Sequence, residues 1–494
     1  MKLTFTNKIN QDIEVVFHPV LQDENQINSL IKKINPADKE LILQKIKKQN
    51  FIGRKAQTFV FDRAEQVIIL LGTGQAKKLS IEDWRNTAGW IIVCLKKYFA
   101  NNIGLVVRDW LKGNSDIEHL GQALAEGLVL ANYNFDKYKK LDKNKIKVDI
   151  KQIVVEISAA QRTKLGKGWQ RGLLLAQGAI KARDLINEPG SQVTPTFLAK
   201  EAQQIVKQNK NISVKILDRP AIKKLGMDAF LGVDQGSHQP PKLIHLVYKP
   251  KATTKDKIAL IGKGITFDSG GLNIKSFEGM AQMKNDMAGA ASVLGLFSVI
   301  SQLNLKVEVH GIIAACENMP SGRALKPGDI VKSMQGKTIE IGNTDAEGRV
   351  TLADALTYIQ KQGIKKIIDL ATLTGACMVA LGTDYAGLFS NNNQLTKELL
   401  KATEVSGEKL WRLPLPEEYR QLNKSKVADI RNIPVTRLGE PSTAALFLQE
   451  FIEKDVIWSH WDIAGPAYAE KPMNSYIPTG GVGFGVRTLL EWLK

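Results

Sequence analysis

What most constrains this chain is the alternation of short apolar, strand-like runs with longer helical ones after residue 240. The runs "KLIHLVY" (242–248), "KIALIG" (257–262), "AGAASVLGLFSVISQL" (288–303), "KVEVHGIIAA" (306–315), "TIEIG" (338–342), "LADALTYIQKQ" (352–362) and "KIIDLAT" (366–372) follow at a strand, helix, strand rhythm. That rhythm predicts a mostly parallel sheet flanked by helices, with ligands bound beyond the carboxyl ends of the strands.

The first part of the chain has a different texture. β-type runs ("DIEVVFHPV", "QVIILLG", "IGLVV") alternate with helical ones ("IEDWRNTAGWIIVCLKKYFANN", "IEHLGQALAEGLVLANY"), and a lysine-dense stretch, "FDKYKKLDKNKIKVDIKQ", leads to "IVVEIS". With 494 residues, the chain is too long for one ordinary core. Two α/β domains are expected, a smaller one over 1–160 and a larger one over 161–494.

Charge and cysteine usage narrow the function classes. The net charge is +18, from 68 Lys and Arg against 50 Asp and Glu, and most of the excess is lysine on helical stretches, which reads first as a solvated face. Cys94, Cys316 and Cys377 lie far apart in apolar contexts and suggest buried, reduced thiols rather than a disulfide framework. The start "MKLTFTNKINQDIEVVF" has no unbroken apolar core of a signal peptide, and no run has the length of a membrane span. A cytoplasmic protein without membrane partners is expected.

Chemistry concentrates at the predicted strand exits. "KIALIG" runs into "KGITFDSGGLNIKS", placing Lys263, Asp268 and Lys275 on a glycine-rich loop. The glycines do not follow the order of a phosphate-binding loop, and no helix follows at once. "MKNDMAGAASVLG" sets Asp286 where a helix N-cap is expected. "NTDAEGR" then places Asp345, Glu347 and Arg349 at alternate positions, which share a direction if the loop stays extended. Three successive strand exits would thus gather four carboxylates and two lysines. Four carboxylates cannot crowd together as anions without counter-charge, and divalent metal ions supply it. His245 and His310 sit in apolar runs where a satisfied core imidazole is the default, and no histidine forms HExxH. The serine of "FDSGG" lacks a nucleophile elbow.

The stretches "GKGITFDSGGLNIKS", "MKNDMAGAA", "NMPSGRALKPGDIVKSMQGKTIEIGNTDAEGRVTLADAL" and "WDIAGPAY…PTGGVGFGVRTL" resemble the leucyl (cytosol) aminopeptidase family of di-metal exopeptidases, in order, over about residues 170 to 494. The first domain resembles the family's variable N-terminal domain only in length and the "FDKYK" segment, which leaves it open to a regulatory or assembly role.

The resemblance implies a catalytic second domain and a ligand set. One ion would be held by Lys263, Asp268, Asp286 and Glu347, the other by Asp268, Asp345 and Glu347, with zinc or manganese favoured over magnesium or cobalt. Ions about 3.5–4 Å apart would activate a bridging water, while a free α-amine on the substrate restricts cleavage to the first residue. The resemblance further implies that Lys275 stabilises the oxyanion, that Arg349 holds a bicarbonate, and that Met283, Thr372, Gly375, Ala464 and Ala467 form a pocket for leucine-like side chains. It also implies a homohexamer. A competing reading is a basic DNA-binding or regulatory protein on the same scaffold, supported by the +18 charge but by no nucleic-acid motif.

Overall fold

A computed structural model describes residues 2–494 except 11, 64–65, 76–78, 99, 108–115, 141–147, 253 and 437. The middle of the lysine-dense stretch therefore lies outside the described residues. Two compact units emerge, Met1–Ala176 with Pro472–Pro478, and Gln177–Lys471 with Thr479–Lys494. Helix Ala159–Asn187 carries the chain from one to the other.

The first unit is built on a six-stranded sheet in the order Lys2–Thr6, Gln152–Glu156, Asn102–Val106, Val15–Leu21, Gln66–Gly74, Thr58–Arg63. Every pair is parallel except the last, a hairpin. Strand alternation divides its apolar residues between two cores. Val15 and Phe17 face the cluster containing Trp84, Ile91 and Leu124, while Val16 and Val20 face Ile27, Ile31 and Ile42. The run around Pro36 breaks into helices Glu24–Ile34 and Lys39–Lys48, as the proline ring requires. Most of their lysines remain in solvent.

The second unit contains an eight-stranded mixed sheet. Its central strands Ile457–Asp462, Lys366–Ala371, Lys257–Asp268 and Glu308–Asn318 are parallel. Beyond Glu308–Asn318 come Lys242–Tyr248 and Ile212–Leu217, both joined by antiparallel pairing. On the other side Tyr385–Ser390 pairs antiparallel with Ile457–Asp462 and parallel with Lys409–Arg412. The run "TIEIG" does not join this sheet. Its strand Thr338–Glu340 belongs to a three-stranded side sheet with Ile330–Lys332 and Ile430–Arg431. The carboxylates that follow it therefore do not leave a third strand of the main sheet.

Helices Ala288–Val299 and Glu347–Gln360 are buried nearly all round. A helix packed on several sides shows little amphipathic contrast, and the run 288–299 is accordingly apolar almost all round, whereas 347–360 buries polar side chains among its apolar ones. His245 and His310 face each other across paired strands, Nε2 to Nδ1 at 2.9 Å, with Tyr358 Oη 3.1 Å from His245 Nδ1. They are satisfied core imidazoles. Cys94, Cys316 and Cys377 are free and buried, and among the described residues no helix is long and apolar enough to cross a membrane.

Candidate metal centre

Lys263 and Asp268 lie on one strand, Lys257–Asp268, five positions apart. Regular alternation would send them to opposite faces. Between the pairs Ile265–Cys316 and Asp268–Asn318, however, this strand has one residue more than its neighbour. Such a bulge inverts the alternation and turns Asp268 to the side where Lys263 lies.

Around these two the other carboxylates converge. Lys263 Nζ is 2.8 Å from Asp286 Oδ1 and 2.8 Å from Glu347 Oε1, and it donates to the Thr372 carbonyl at 2.8 Å. Lys275 Nζ is 2.8 Å from Asp268 Oδ2 and 2.5 Å from Asp345 Oδ1. Oxygens of Asp268, Asp286 and Glu347 all lie within 4.8 Å of one another, and the three residues are buried.

Asp286 does not cap the helix that follows it. The N-cap position is Met287, with no side-chain cap bond, and the Asp286 carboxylate instead accepts from Thr372 Oγ1 at 2.7 Å. Nor does the loop stay extended through Arg349. The chain turns helical at Glu347, so Glu347 and Arg349 point in different directions from the helix. Arg349 is buried and donates from Nη1 to the Asn432 carbonyl at 2.9 Å, while its Nε has no hydrogen-bond partner.

Two glycines make the approach of these segments possible. Gly270 has φ +86°, and a Cβ there would lie 2.9 Å from Asp345 Oδ1. A Cβ on Gly348 would lie 2.5 Å from Lys263 Cε.

With all four carboxylates ionised, the two lysines leave negative charge uncompensated. Burial, reinforced by Glu347 and Asp268, pushes the Asp286 carboxyl well above the usual range despite the opposing Lys263 ammonium. Burial together with Asp268 raises Asp345 to about 6, although Lys275 opposes the shift. Burial alone would lower the pKa of both lysines, but the surrounding carboxylates outweigh it and keep the ammoniums charged. Asp286 Oδ2 is buried with no hydrogen-bond partner. Asp345 Oδ1 and Glu347 Oε1 also lack hydrogen bonds and meet their lysines only as ion pairs. Hard oxygen donors with unused lone pairs and a deficit of positive charge suit divalent cations.

Several organising residues lie outside the expected ligand set. Asn318 donates to Asp268 Oδ1 at 2.8 Å and to the Thr344 carbonyl at 2.9 Å. Thr344 and Asn273 exchange hydrogen bonds and tie the glycine-rich loop to "NTDAEGR". Asn318 closes a parallel strand, so the strand-exit rule contained the signal for it. Thr344 and Asn273 lie within the two singled-out loops, but nothing in either loop alone shows that they pair with each other.

The residues assigned to a side-chain pocket occupy three segments. Met283 is in a short 3-10 turn, Thr372 follows a strand, Gly375 is exposed at a helix start, Ala464 is half-buried and Ala467 is fully buried.

The profile of the cytosol aminopeptidase family, catalytic domain, matches residues 180–490, and that of its N-terminal domain matches residues 15–141. A probable cytosol aminopeptidase of Trichormus variabilis is 43% identical over 484 residues, covering 97% of this chain and 95% of that one. Another, of Persephonella marina, is 40% identical, covering 100% of this chain and 99% of that one. Among solved structures, a mutant of tomato leucine aminopeptidase matches with a TM-score of 0.89 at 35% identity, covering 100% of this chain and 96% of that one. The bottromycin maturation enzyme BotP in complex with Mn matches with 0.85 at 32% identity, covering 97% and 99%. With both domain profiles and relatives of this identity along its whole length, the chain belongs to the cytosol aminopeptidase family of metal-dependent aminopeptidases.

Proposed function

We propose that this aminopeptidase releases leucine and other large apolar residues from peptides with a free amino terminus, using two divalent ions per subunit. The observation that carries the proposal is the buried group of Asp268, Asp286 and Glu347, with Asp286 Oδ2 left without a donor. Lys263, Asp268, Asp286 and Glu347 would hold one ion, and Asp268, Asp345 and Glu347 the other. Zinc and manganese are the favoured ions, magnesium and cobalt the alternatives, and the Mn-bound neighbour supports manganese. Divalent ions supply Lewis acidity, polarising a carbonyl and lowering the pKa of water.

The chain's own groups would do the rest. Lys263 can ligate only as the free amine, so loading the site is linked to loss of its proton. Lys275 has its ammonium anchored between Asp268 and Asp345 at the edge of the cluster, where it can donate to an oxygen that gains charge during attack. Arg349, a buried guanidinium with a free Nε, would bind a bicarbonate that relays the proton. Small and apolar groups at Met283, Thr372, Gly375 and Ala464 would receive the first side chain, with the fully buried Ala467 supporting the segment that carries Ala464. A pocket that only admits or excludes methylenes discriminates by about 1–3 kcal/mol, so the preference is broad.

The protein would work in the cytoplasm as a hexamer. Phe277, Val379, Val435 and Leu438 are 78–86% exposed in the single chain, and large apolar side chains so placed suit burial between subunits. Light scattering at micromolar concentration checks the mass.

The decisive experiment strips the metal and restores zinc, manganese, magnesium or cobalt one at a time, assaying a panel of aminoacyl amides. Activity should vanish on stripping, return with specific ions and be highest on the leucyl amide. Full activity in metal-free protein would overturn the proposal.

A further inference from the structure

Asp462 ends the strand Ile457–Asp462 and is 1% exposed. No ion pair accompanies it among the described residues; four neutral donors satisfy it. Its Oδ1 accepts from the backbone N–H of Leu373 at 3.1 Å and of Ala464 at 3.2 Å. Its Oδ2 accepts from the Thr374 N–H at 3.1 Å and from Thr374 Oγ1 at 2.7 Å. One carboxylate thus fastens together the two loops that leave neighbouring parallel strands, 372–374 and 463–464.

The first of these loops reaches directly into the charged cluster. Thr372 offers its carbonyl to Lys263 Nζ at 2.8 Å and its hydroxyl to Asp286 Oδ1 at 2.7 Å. Both contacts depend on where the Thr372 backbone stands, and the two N–H groups that follow it directly, those of Leu373 and Thr374, are held by Asp462. The second loop carries Ala464. A charged acceptor binds several donors more strongly than a neutral one, and burial strengthens each bond.

We infer that Asp462 is a positioning residue that sets both the Lys263–Asp286 half of the metal centre and the spacing of the two loops around the substrate's first side chain. This assignment rests on the metal and pocket roles proposed above. Its chemistry requires a carboxylate. An amide at this position would turn an NH2 toward N–H groups of Leu373 and Ala464 or toward that of Thr374, whichever way it flips, leaving a donor facing a donor. The loops would then move apart and Thr372 would release its two partners.

The test titrates Mn2+ into metal-stripped full-length protein by calorimetry, for wild type, Asp462→Asn, Thr374→Val and Thr374→Ser. Residues that orient ligands typically change metal affinity by about 10–100-fold when replaced. Asp462→Asn should weaken one of two equivalents by about 10-fold, Thr374→Val should weaken the same one less, and Thr374→Ser, which keeps the hydroxyl, should bind as wild type. The ratio of leucyl to alanyl amide turnover should fall in the same order.

A purely structural role would lower the thermal midpoint but leave affinity per folded molecule and the leucyl-to-alanyl ratio unchanged, and that result overturns the inference. If Asp462→Asn fails to fold, Thr374→Val against Thr374→Ser decides by the same two readouts. Wild-type protein that binds no metal overturns the proposed metal centre and this inference with it. Two bound equivalents in wild type and unchanged affinity in the folded variants sink this inference alone.

Discussion

Asn318 Nδ2 donates to Asp268 Oδ1 at 2.8 Å, fixing the carboxylate that lies between Lys275 and the other acidic side chains. The second proton of the same amide goes to the Thr344 carbonyl, one residue before Asp345. Asn318→Ala should therefore loosen both sides of the cluster at once. Metal affinity is expected to fall by about 10–100-fold, and a buried carbonyl left without its donor costs about 1–3 kcal/mol. Calorimetric titration with Mn2+ and urea unfolding of the metal-free protein measure the two effects separately; wild-type affinity would refute the first.

Lys275→Ala should act on turnover more than on binding. Loss of one oxyanion donor typically lowers kcat by about 10²–10³, and an interaction made only in the transition state leaves KM nearly unchanged. Steady-state kinetics on leucyl amide distinguish this from a binding role, in which KM would rise and kcat would hold.

Gly348→Ala tests the close approach of helix Glu347–Gln360 to Lys263. The added methyl would meet Lys263 Cε at 2.5 Å, so the ammonium must leave the position between Asp286 and Glu347. Alanine favours helix over glycine by about 1 kcal/mol, which offsets part of the strain. The expected outcome is a folded protein with weak metal binding, read by circular dichroism and metal content. Unaltered metal content would show that Lys263 can shift without consequence.

Asp354 holds a helix start rather than a ligand. Its two oxygens accept from the N–H groups of Phe230 at 2.8 Å and Met334 at 2.7 Å, deep in the second unit. Asp354→Ala leaves the buried Phe230 N–H unpaired, at about 1–3 kcal/mol, and frees the part-buried Met334 N–H at a smaller cost. A fall in urea midpoint with unchanged metal affinity in the folded fraction is expected.

The His245–His310 pair should make stability sensitive to acid. Burial, then the neighbouring His310 and Lys215, depress His245 from 6.5 to about 4, and burial lowers His310 as well despite Glu308. Between those values the unfolded chain binds more protons than the folded one. The contribution is thus complete above about pH 6.5 and is lost as pH falls toward 4, amounting to about 1–3 kcal/mol. A second proton would also set N–H against N–H across the 2.9 Å contact. Urea midpoints of metal-free protein from pH 7.5 to 4.5 should decline, and His245→Gln should flatten part of the slope; an equal slope in that variant would exclude the pair as its source.

Local patterns in the chain determine a good deal. The strand and helix alternation from residue 242 to 371 and the clustering of acidic residues at predicted loops depend on neighbours within a few positions, and total length alone calls for two domains. Side-chain type at such spacing is enough to identify the elements and the motifs. Lys263, Asp268, Lys275, Asp286, Asp345 and Glu347 could accordingly be singled out as one group, and the structure brings them together. How they meet was decided elsewhere. The extra residue before Asp268 becomes a bulge only against strand Glu308–Asn318, and without it Lys263 and Asp268 would face opposite ways. The strand Thr338–Glu340 pairs with Ile430–Arg431, about ninety residues away, and so leaves the main sheet. Asp286 resembles a cap in sequence, yet it turns toward Thr372 and Lys263. Pairing partners and buried hydrogen bonds at such separations are chosen by the packing of whole elements, because a polar group's partner depends on which surfaces close over it; a run of residues read alone contains no record of that choice.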